Sequence, residues 1–415
     1  MKAAILTIGD EILYGQTIDT NSAFLAQQLI EMGHDPSYRE TVGDEIEIVE
    51  ESIVKLTRNY QLVISTGGLG PTHDDVTKKA ICRAFKRNLV LFDDVLKFIE
   101  ERYKSRNRDM PAAVQSQALL PQGSRALKNQ WGTAPGIMIE QKGNIFVAFP
   151  GVPYEMKNLF IHELKPLLPP SEDDSVITFK RLRTSGIVES VMYEKLKELL
   201  ASNETVKLAF LPGYMGVDLR LTVKEKPRSE ALELIADFEE KLREKIGKYI
   251  YAEEETSISE VIADMLKERK QILSVAESCT GGLLAGMLTD IPGSSEYFER
   301  GVVSYSNQAK TDLLGVPQTL IEKHGAVSSE VAVAMAQGVL NSAKTDYALS
   351  ITGIAGPTGG TNEKPVGTTW IGLASKDGAV TKEFHFATDR EINRQRAATA
   401  ALNMLRLHLL GELKI

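Results

Sequence analysis

Three strand-like apolar runs, Ala3–Ile8, Gln61–Thr66 and Asn144–Phe149, each pass without a spacer into a polar, glycine-bearing loop. Amphipathic stretches lie between them. In the first, Asp19-Thr20 offer N-caps to a helix that carries Phe24, Leu25, Leu29 and Ile30 on one face and is closed by Gly33. Buried strands alternating with helices imply parallel pairing, right-handed crossovers and a sheet covered on both faces. The first 170 residues therefore predict a doubly wound α/β domain, with its ligand outside the carboxyl ends of the strands.

If the strands are parallel, the loops Gly9-Asp10-Glu11, Gly67-Gly68-Leu69-Gly70-Pro71-Thr72-His73-Asp74-Asp75 and Pro150-Gly151-Val152-Pro153-Tyr154-Glu155 meet on one sheet edge. Glycines there let backbone N–H groups approach a phosphate, and the helix that follows adds its positive end. Gly67, Gly68, Gly70 and Gly151 are the expected cradle of a diphosphate, with Asn21, Thr72 and Glu155 as side-chain partners. Asp10, Asp74 and Asp75 are hard oxygen donors suited to Mg²⁺ or a similar divalent ion, with Glu11 beside them. A cradle of this kind serves a binding protein as well as a hydrolase.

A chain of 415 residues exceeds one ordinary core and predicts roughly three domains. Pro166, Pro169 and Pro170, followed by Ser171-Glu172-Asp173-Asp174, mark the first linker, and Glu253-Glu254-Glu255 the second boundary. The expected domains are 1–170, a small α+β piece over 171–252, and a further α/β unit over 256–415. The middle piece reads strand, helix, two strands, helix, strand; it carries no concentration of reactive groups and is expected to be structural or to form a homodimer. A net charge of −8 argues against a general grip on nucleic acid or anionic membrane. Two distant cysteines, Cys82 and Cys279, build neither a disulfide framework nor a CxxC zinc site. With no signal-peptide pattern and no run of eighteen apolar residues, a cytoplasmic protein is expected.

In the last domain Ala276-Glu277-Ser278-Cys279-Thr280-Gly281-Gly282 lies between a predicted strand and a predicted helix. A hydroxyl on such a turn, with helix N–H groups behind it, is arranged as a nucleophile and an oxyanion hole require. Spacing alone leaves Ser278 and Cys279 both open. Neither His385, alternating with Phe384 and Phe386, nor His408, among leucines of the closing helix, stands by a functional motif. Tyr305 and Lys310 flank a strand end at the start of a helix, where a desolvated lysine can accept a proton.

Taken together these motifs closely resemble the competence/damage-inducible protein A (CinA) family. The resemblance rests on Gly9-Asp10-Glu11-Ile12, Asp19-Thr20-Asn21, Thr66–Asp75 with Thr77, Asn129 to Gly136, Pro150–Glu155, and the stretches AESCTGG, VVSYSNQAK and ITGIAGPTGG. It covers essentially the whole chain. It implies a molybdopterin-binding-like first domain that hydrolyses ADP-ribose to AMP and ribose 5-phosphate, with a divalent metal and potassium. It also implies a last domain of α/β/α nicotinamide-nucleotide amidohydrolase type, which needs no cofactor. That domain deamidates nicotinamide mononucleotide to nicotinate mononucleotide and ammonia.

Matched by motif, Ser278 is the nucleophile, Lys310 the general base and Tyr305 an aid to proton movement, while Thr352 with Gly353 falls in the second glycine-rich loop. Arg394 matches a family arginine near the site. Backbone N–H groups around Thr280, Gly281 and Gly282 would hold the oxyanion, and Arg390 or Arg394 a ribose phosphate. The chain departs from the pattern at Phe149 (usually Leu), at Gln130-Trp131, and at Ala387-Thr388-Asp389-Arg390, where glycine commonly precedes Asp-Arg. The rival reading is a non-catalytic molybdopterin- or nucleotide-binding protein acting in competence or the DNA-damage response.

Overall fold

The computed structural model describes residues 1–72, 75–168, 175–213, 216–386 and 389–415. The chain forms two compact units, Met1–Thr178 with Lys224–Leu232, and Phe179–Val223 with Glu233–Ile415. His73, Asp74 and the linker Pro169–Asp174 lie outside the described residues, as do Ala387 and Thr388.

The first unit runs β1 (Lys2–Ile8), α1 (Asp10–Leu13), α2 (Thr20–Glu31), β2 (Asp35–Val42), α3 (Ile46–Asn59), β3 (Leu62–Thr66) and α4 (Thr77–Phe85). It continues with β4 (Leu89–Leu91), α5 (Asp93–Ser105), α6 (Ala112–Gln115), β5 (Leu119–Pro121), β6 (Arg125–Leu127), β7 (Gly136–Gln141), β8 (Asn144–Phe149) and α7 (Pro153–Leu159). The main sheet has the order β2-β1-β3-β8-β7-β6. β1 is parallel to β2 and β3, and β3 to β8. β1 alternates its side chains strictly between two cores. Ala3 and Ile5 pack with Leu25 and Leu29 of α2 and Met156 of α7, while Ala4, Leu6 and Ile8 pack with Val49 and Ile53 of α3.

The alternating pattern of strands and helices implied parallel pairing throughout, and here the fold differs. β7 and β6 return antiparallel. Between β7 and β8 only Lys142 and Gly143 intervene, both at positive φ (53° and 82°), the hairpin conformation that a parallel crossover is too long to use.

The middle elements β9 (Ser175–Thr184), α8 (Glu189–Ala201), β10 (Lys207–Pro212), β11 (Val217–Pro227), α9 (Arg228–Ile246) and β12 (Ile250–Glu253) reproduce the strand–helix–two strands–helix–strand reading; all but Ser175–Thr178 and Lys224–Leu232 belong to the second unit. Their sheet order, β10-β11-β9-β12, is that of a split βαβ fold. There follow α10 (Ile258–Arg269), β13 (Leu273–Glu277), α11 (Leu283–Thr289), β14 (Phe298–Val303), α12 (Asn307–Leu314), α13 (Gln318–His324) and α14 (Ser329–Ala343). The chain closes with β15 (Tyr347–Gly353), β16 (Thr368–Ser375), β17 (Gly378–His385) and α15 (Arg390–Leu409).

This last sheet, β14-β13-β15-β16-β17, pairs β13 in parallel with β14 and β15 and adds β16 and β17 antiparallel. Ile262 and Leu266 of α10 and Ala401 and Leu405 of α15 cover one face; Val331, Met335 and Val339 of α14 cover the other. The domain is thus an α/β/α sandwich. Most of the middle domain shares a unit with the last, and α15 joins them there: the buried Arg406 donates to the carbonyls of Lys248 (2.5 Å) and Ile250 (3.4 Å). Among the described residues no helix is long and apolar enough to cross a membrane.

His34, fully buried at the end of α2, is pushed down to about 4, first by burial and then by the Met1 ammonium beside it. Its folded pKa lies below the unfolded value of 6.5, so the unfolded chain binds the proton first and stability is lost as pH drops through that window. The first unit is expected to lose about 3 kcal/mol between pH 6.5 and 4. Urea melts across that range measure the slope, and His34→Leu should flatten it.

Candidate active site

Strand β13 ends in Glu277, and the chain turns sharply at Ser278 before α11 begins. The turn uses Gly281 and Gly282 at positive φ (59° and 94°), a conformation L side chains resist. Lys310 reaches the same place from the first turn of α12. Ser306 caps that helix by accepting from the Ala309 N–H at 3.0 Å, which places Lys310 one turn in. The Lys310 Nζ donates to Ser278 Oγ at 2.9 Å and to the Ser304 carbonyl at 2.8 Å.

Lys310 is 1% exposed and its pKa is lowered by burial. The positive end of α12 opposes the ammonium form further. A lysine held this way releases its proton more readily than a solvated one and accepts one from the hydroxyl it touches. Cys279 takes the opposite course. Its side chain packs in the apolar core under α15, and burial pushes its thiol up to about 11. Of the two nucleophiles left open by spacing, Ser278 alone is hydrogen-bonded to a base.

The other expected residues gather here with different tasks. The N–H of Gly281 donates to the Ser278 carbonyl at 3.1 Å and that of Gly282 to Glu277 Oε2 at 3.0 Å, so both donors close the turn instead of facing an oxyanion. Arg394 Nε and Nη2 both donate to the Thr280 carbonyl (3.2 and 2.6 Å), bracing the turn from α15. Thr280 Oγ1 is buried without a partner among the described residues. Thr352, next to the Ile351 carbonyl that accepts from the Ser278 N–H, donates its hydroxyl to Ala326 at 2.7 Å. At Gly353 a Cβ would lie 2.7 Å from Thr369 Oγ1. Tyr305 is 61% exposed; its hydroxyl accepts from Arg390 Nη2 at 3.0 Å, and Arg390 Nη1 donates to the Gly356 carbonyl at 2.9 Å. Tyr305 therefore stands with Arg390 at the surface, without a hydrogen bond to Ser278 or Lys310 among the described residues.

On the first unit the three loops do meet. At Gly67 (φ 112°) a Cβ would come 1.9 Å from the Ile8 carbonyl, so only glycine fits against the end of β1. Asn21 Nδ2 donates to Thr66 Oγ1 at 3.0 Å and to the Gly151 carbonyl at 2.8 Å, tying α2 to the second and third loops, while its buried Oδ1 has no partner among the described residues. Thr77 Oγ1 donates to the Gly67 carbonyl at 2.8 Å and lies against Gly68.

Asp75 closes its own loop: Oδ1 accepts from the Gly70 N–H at 2.6 Å, and Oδ2 from the Thr72 N–H and hydroxyl at 2.8 and 2.5 Å. Three of the carboxylate's acceptor positions thus serve the loop itself, with Thr72 giving both of its donors to Asp75. Asp10 Oδ1 accepts only a long bond, 3.3 Å, from the Asp44 N–H. Glu155 accepts from Asn129 Nδ2 at 2.6 Å and abuts Gly132, fixing the loop 129–134. No group of three or more His, Cys, Asp or Glu able to hold a metal occurs among the described residues, and Asp74 lies outside them. Sequence reasoning also missed Lys78, buried in the first turn of α4 with Nζ on the Ser116 carbonyl at 2.6 Å and pushed down by burial to about 8. No pattern signals it, since most lysines are solvated.

Three family models cover the chain. One described as a probable molybdopterin binding domain matches residues 4–170, one as the KH domain of the damage-inducible protein CinA residues 179–252, and one as the CinA C-terminal domain residues 255–409. A putative competence-damage inducible protein of Caldicellulosiruptor bescii is 43% identical over 98% of each chain. A CinA-like protein of Dictyoglomus thermophilum is 40% identical over 99% of this chain and 100% of that one. Among solved structures, the competence/damage inducible protein of Agrobacterium tumefaciens is 40% identical, covering 37% of this chain and 95% of its own, with a TM-score of 0.35. CinA of Thermoplasma acidophilum is 31% identical over 40% and 98%, with a TM-score of 0.38.

The thiol of Cys279 is expected to react with iodoacetamide at pH 8 about a hundredfold more slowly than a thiol of ordinary pKa, because so little is ionised. Mass spectrometry of the alkylated native protein reads this directly; rapid labelling of Cys279 would reopen it as the nucleophile.

Proposed function

Because the chain belongs to the competence-damage inducible protein (CinA) family, we propose that it is a hydrolase of two pyridine-nucleotide breakdown products. Its last domain deamidates nicotinamide mononucleotide to nicotinate mononucleotide and ammonia. Its first domain hydrolyses ADP-ribose to AMP and ribose 5-phosphate. The observation that carries the first half is the buried amine of Lys310 at 2.9 Å from Ser278 Oγ.

In this reading Ser278 Oγ attacks the carboxamide carbon while neutral Lys310 takes the hydroxyl proton. The backbone N–H groups of Cys279 and Thr280 are the donors left to meet the oxyanion, since those of Gly281 and Gly282 are engaged. The lysine ammonium then protonates the departing nitrogen, and ammonia leaves an acyl-serine. Water, activated by the same amine, cleaves the ester and restores Ser278. Arg390, with Tyr305 beside it at the surface, is the cation placed for the ribose phosphate.

For the first domain, the support is the cradle of Gly67, Gly68 and Gly151 with the unpartnered Asn21 Oδ1 at its wall. Asp10, Asp74 and Asp75 are the carboxylates that would hold a divalent ion, which would neutralise diphosphate charge; potassium belongs to the same reading. The match of the middle module to a KH domain raises nucleic-acid binding. Its Gly213 and Gly216, however, close the β10–β11 hairpin on each other at 2.8 Å, so we read the module as scaffold.

Ser278→Ala and Lys310→Met are each expected to lower ammonia release from nicotinamide mononucleotide by roughly a thousandfold or more. Lys310→Met should keep or raise the thermal midpoint, since it removes a desolvated amine. In the wild type kcat/KM should rise with unit slope as pH increases, levelling below lysine's ordinary 10.5, because the base works only when deprotonated. No ammonia from folded wild-type protein would sink the amidase and favour the molybdopterin- or nucleotide-binding alternative. EDTA is expected to stop AMP release from ADP-ribose while leaving ammonia release intact, as parallel assays on one preparation will show.

A further inference from the structure

We infer that Glu277 is a positioning residue that sets the nucleophile and the base of the last domain together, an inference that rests on the amidase reading above. Glu277 immediately precedes Ser278, and it is 0% exposed. A carboxylate so deeply buried is costly unless its lone pairs are met by strong donors. Here they are met by backbone alone. Oε2 accepts from the N–H of Gly282 at 3.0 Å and of Leu284 at 3.1 Å, and Oε1 from that of Ala285 at 2.8 Å. These are the opening N–H groups of α11, so the carboxylate folds back over its own turn and pins the far side of the Ser278 loop to the end of β13.

The backbone of the same residue holds the other half of the pair. The Glu277 carbonyl accepts from the Ser304 N–H at 2.8 Å and more weakly from its hydroxyl at 3.4 Å. The Ser304 carbonyl in turn accepts from Lys310 Nζ at 2.8 Å, the only hydrogen bond besides Ser278 that orients the amine among the described residues. A single residue therefore reaches Ser278 through the turn and Lys310 through Ser304. Neither arm touches a substrate, so Glu277 acts through geometry. Losing it should slow proton transfer between the pair and leave ligand affinity in place.

The test uses the full chain with Glu277→Gln and Glu277→Asp. Gln keeps the size but turns an amide NH₂ against N–H donors; Asp keeps the charge but is one methylene short. Three readouts are taken: kcat and KM for nicotinamide mononucleotide, the labelling rate of Ser278 by a fluorophosphonate, and the thermal midpoint. We expect Gln to lower kcat and the labelling rate together by about 10- to 100-fold, with KM changed less than about threefold, and Asp to fall between it and wild type. Labelling at the wild-type rate in either folded variant would overturn the inference. A loss carried by KM in a folded variant would also overturn it. Should wild type label at Ser278 yet release no ammonia, the substrate reading fails while the labelling rates still decide the role of Glu277. Should Gln not fold, the Asp variant carries the test.

Discussion

A lysine amine held in apolar surroundings, with one hydroxyl and one carbonyl for company, is the constraint around which the last domain is organised. Such a group is stable in place only if its neighbours are fixed, because a small shift admits water and restores the solvated ammonium. The cap at Ser306, the turn at Gly281-Gly282, the brace from Arg394 and the buried carboxylate of Glu277 all act on the position of that one contact. Their number is understandable: each removes a way for Ser278 and Lys310 to separate.

The two candidate sites of the chain share a habit. Both lie at the carboxyl ends of parallel strands, where loops converge and helix N-termini point outward. In both, an acid that looks chemically available has been turned inward. Asp75 closes the loop Gly70–Asp75, and Glu277 closes the turn before α11. Carboxylates suit this work, since two oxygens accept several N–H groups that a glycine-rich loop otherwise leaves unmet. Acidic residues in a glycine-rich motif therefore divide into those that build the loop and those that face the ligand.

That division is what the sequence could not convey. The fold was legible because period and punctuation are local: β1, β3 and β8 fall within a residue or two of the apolar runs, and the order of the middle module follows from its turns. The meeting of three distant loops was legible too, because parallel pairing forces it. The antiparallel return of β7 and β6 was not, though Lys142-Gly143 is a hairpin signal on inspection. At the site, Ser278 and Lys310 were found through their motifs. Which way Asp75, Thr352 and Tyr305 turn depends on partners 3 to 85 residues away, and one-dimensional spacing carries no direction. Glu277 was in plain view beside the serine, yet its burial is a property of the finished sandwich.

The guanidinium of Arg406 has a consequence for the order in which the chain is made. It fills the carbonyls of Lys248 and Ile250, at the join to β12, from a helix more than 150 residues further on. During synthesis those carbonyls emerge long before their partner. Until that helix docks the two carbonyls are left to water, and docking exchanges that water for a buried, charge-assisted donor.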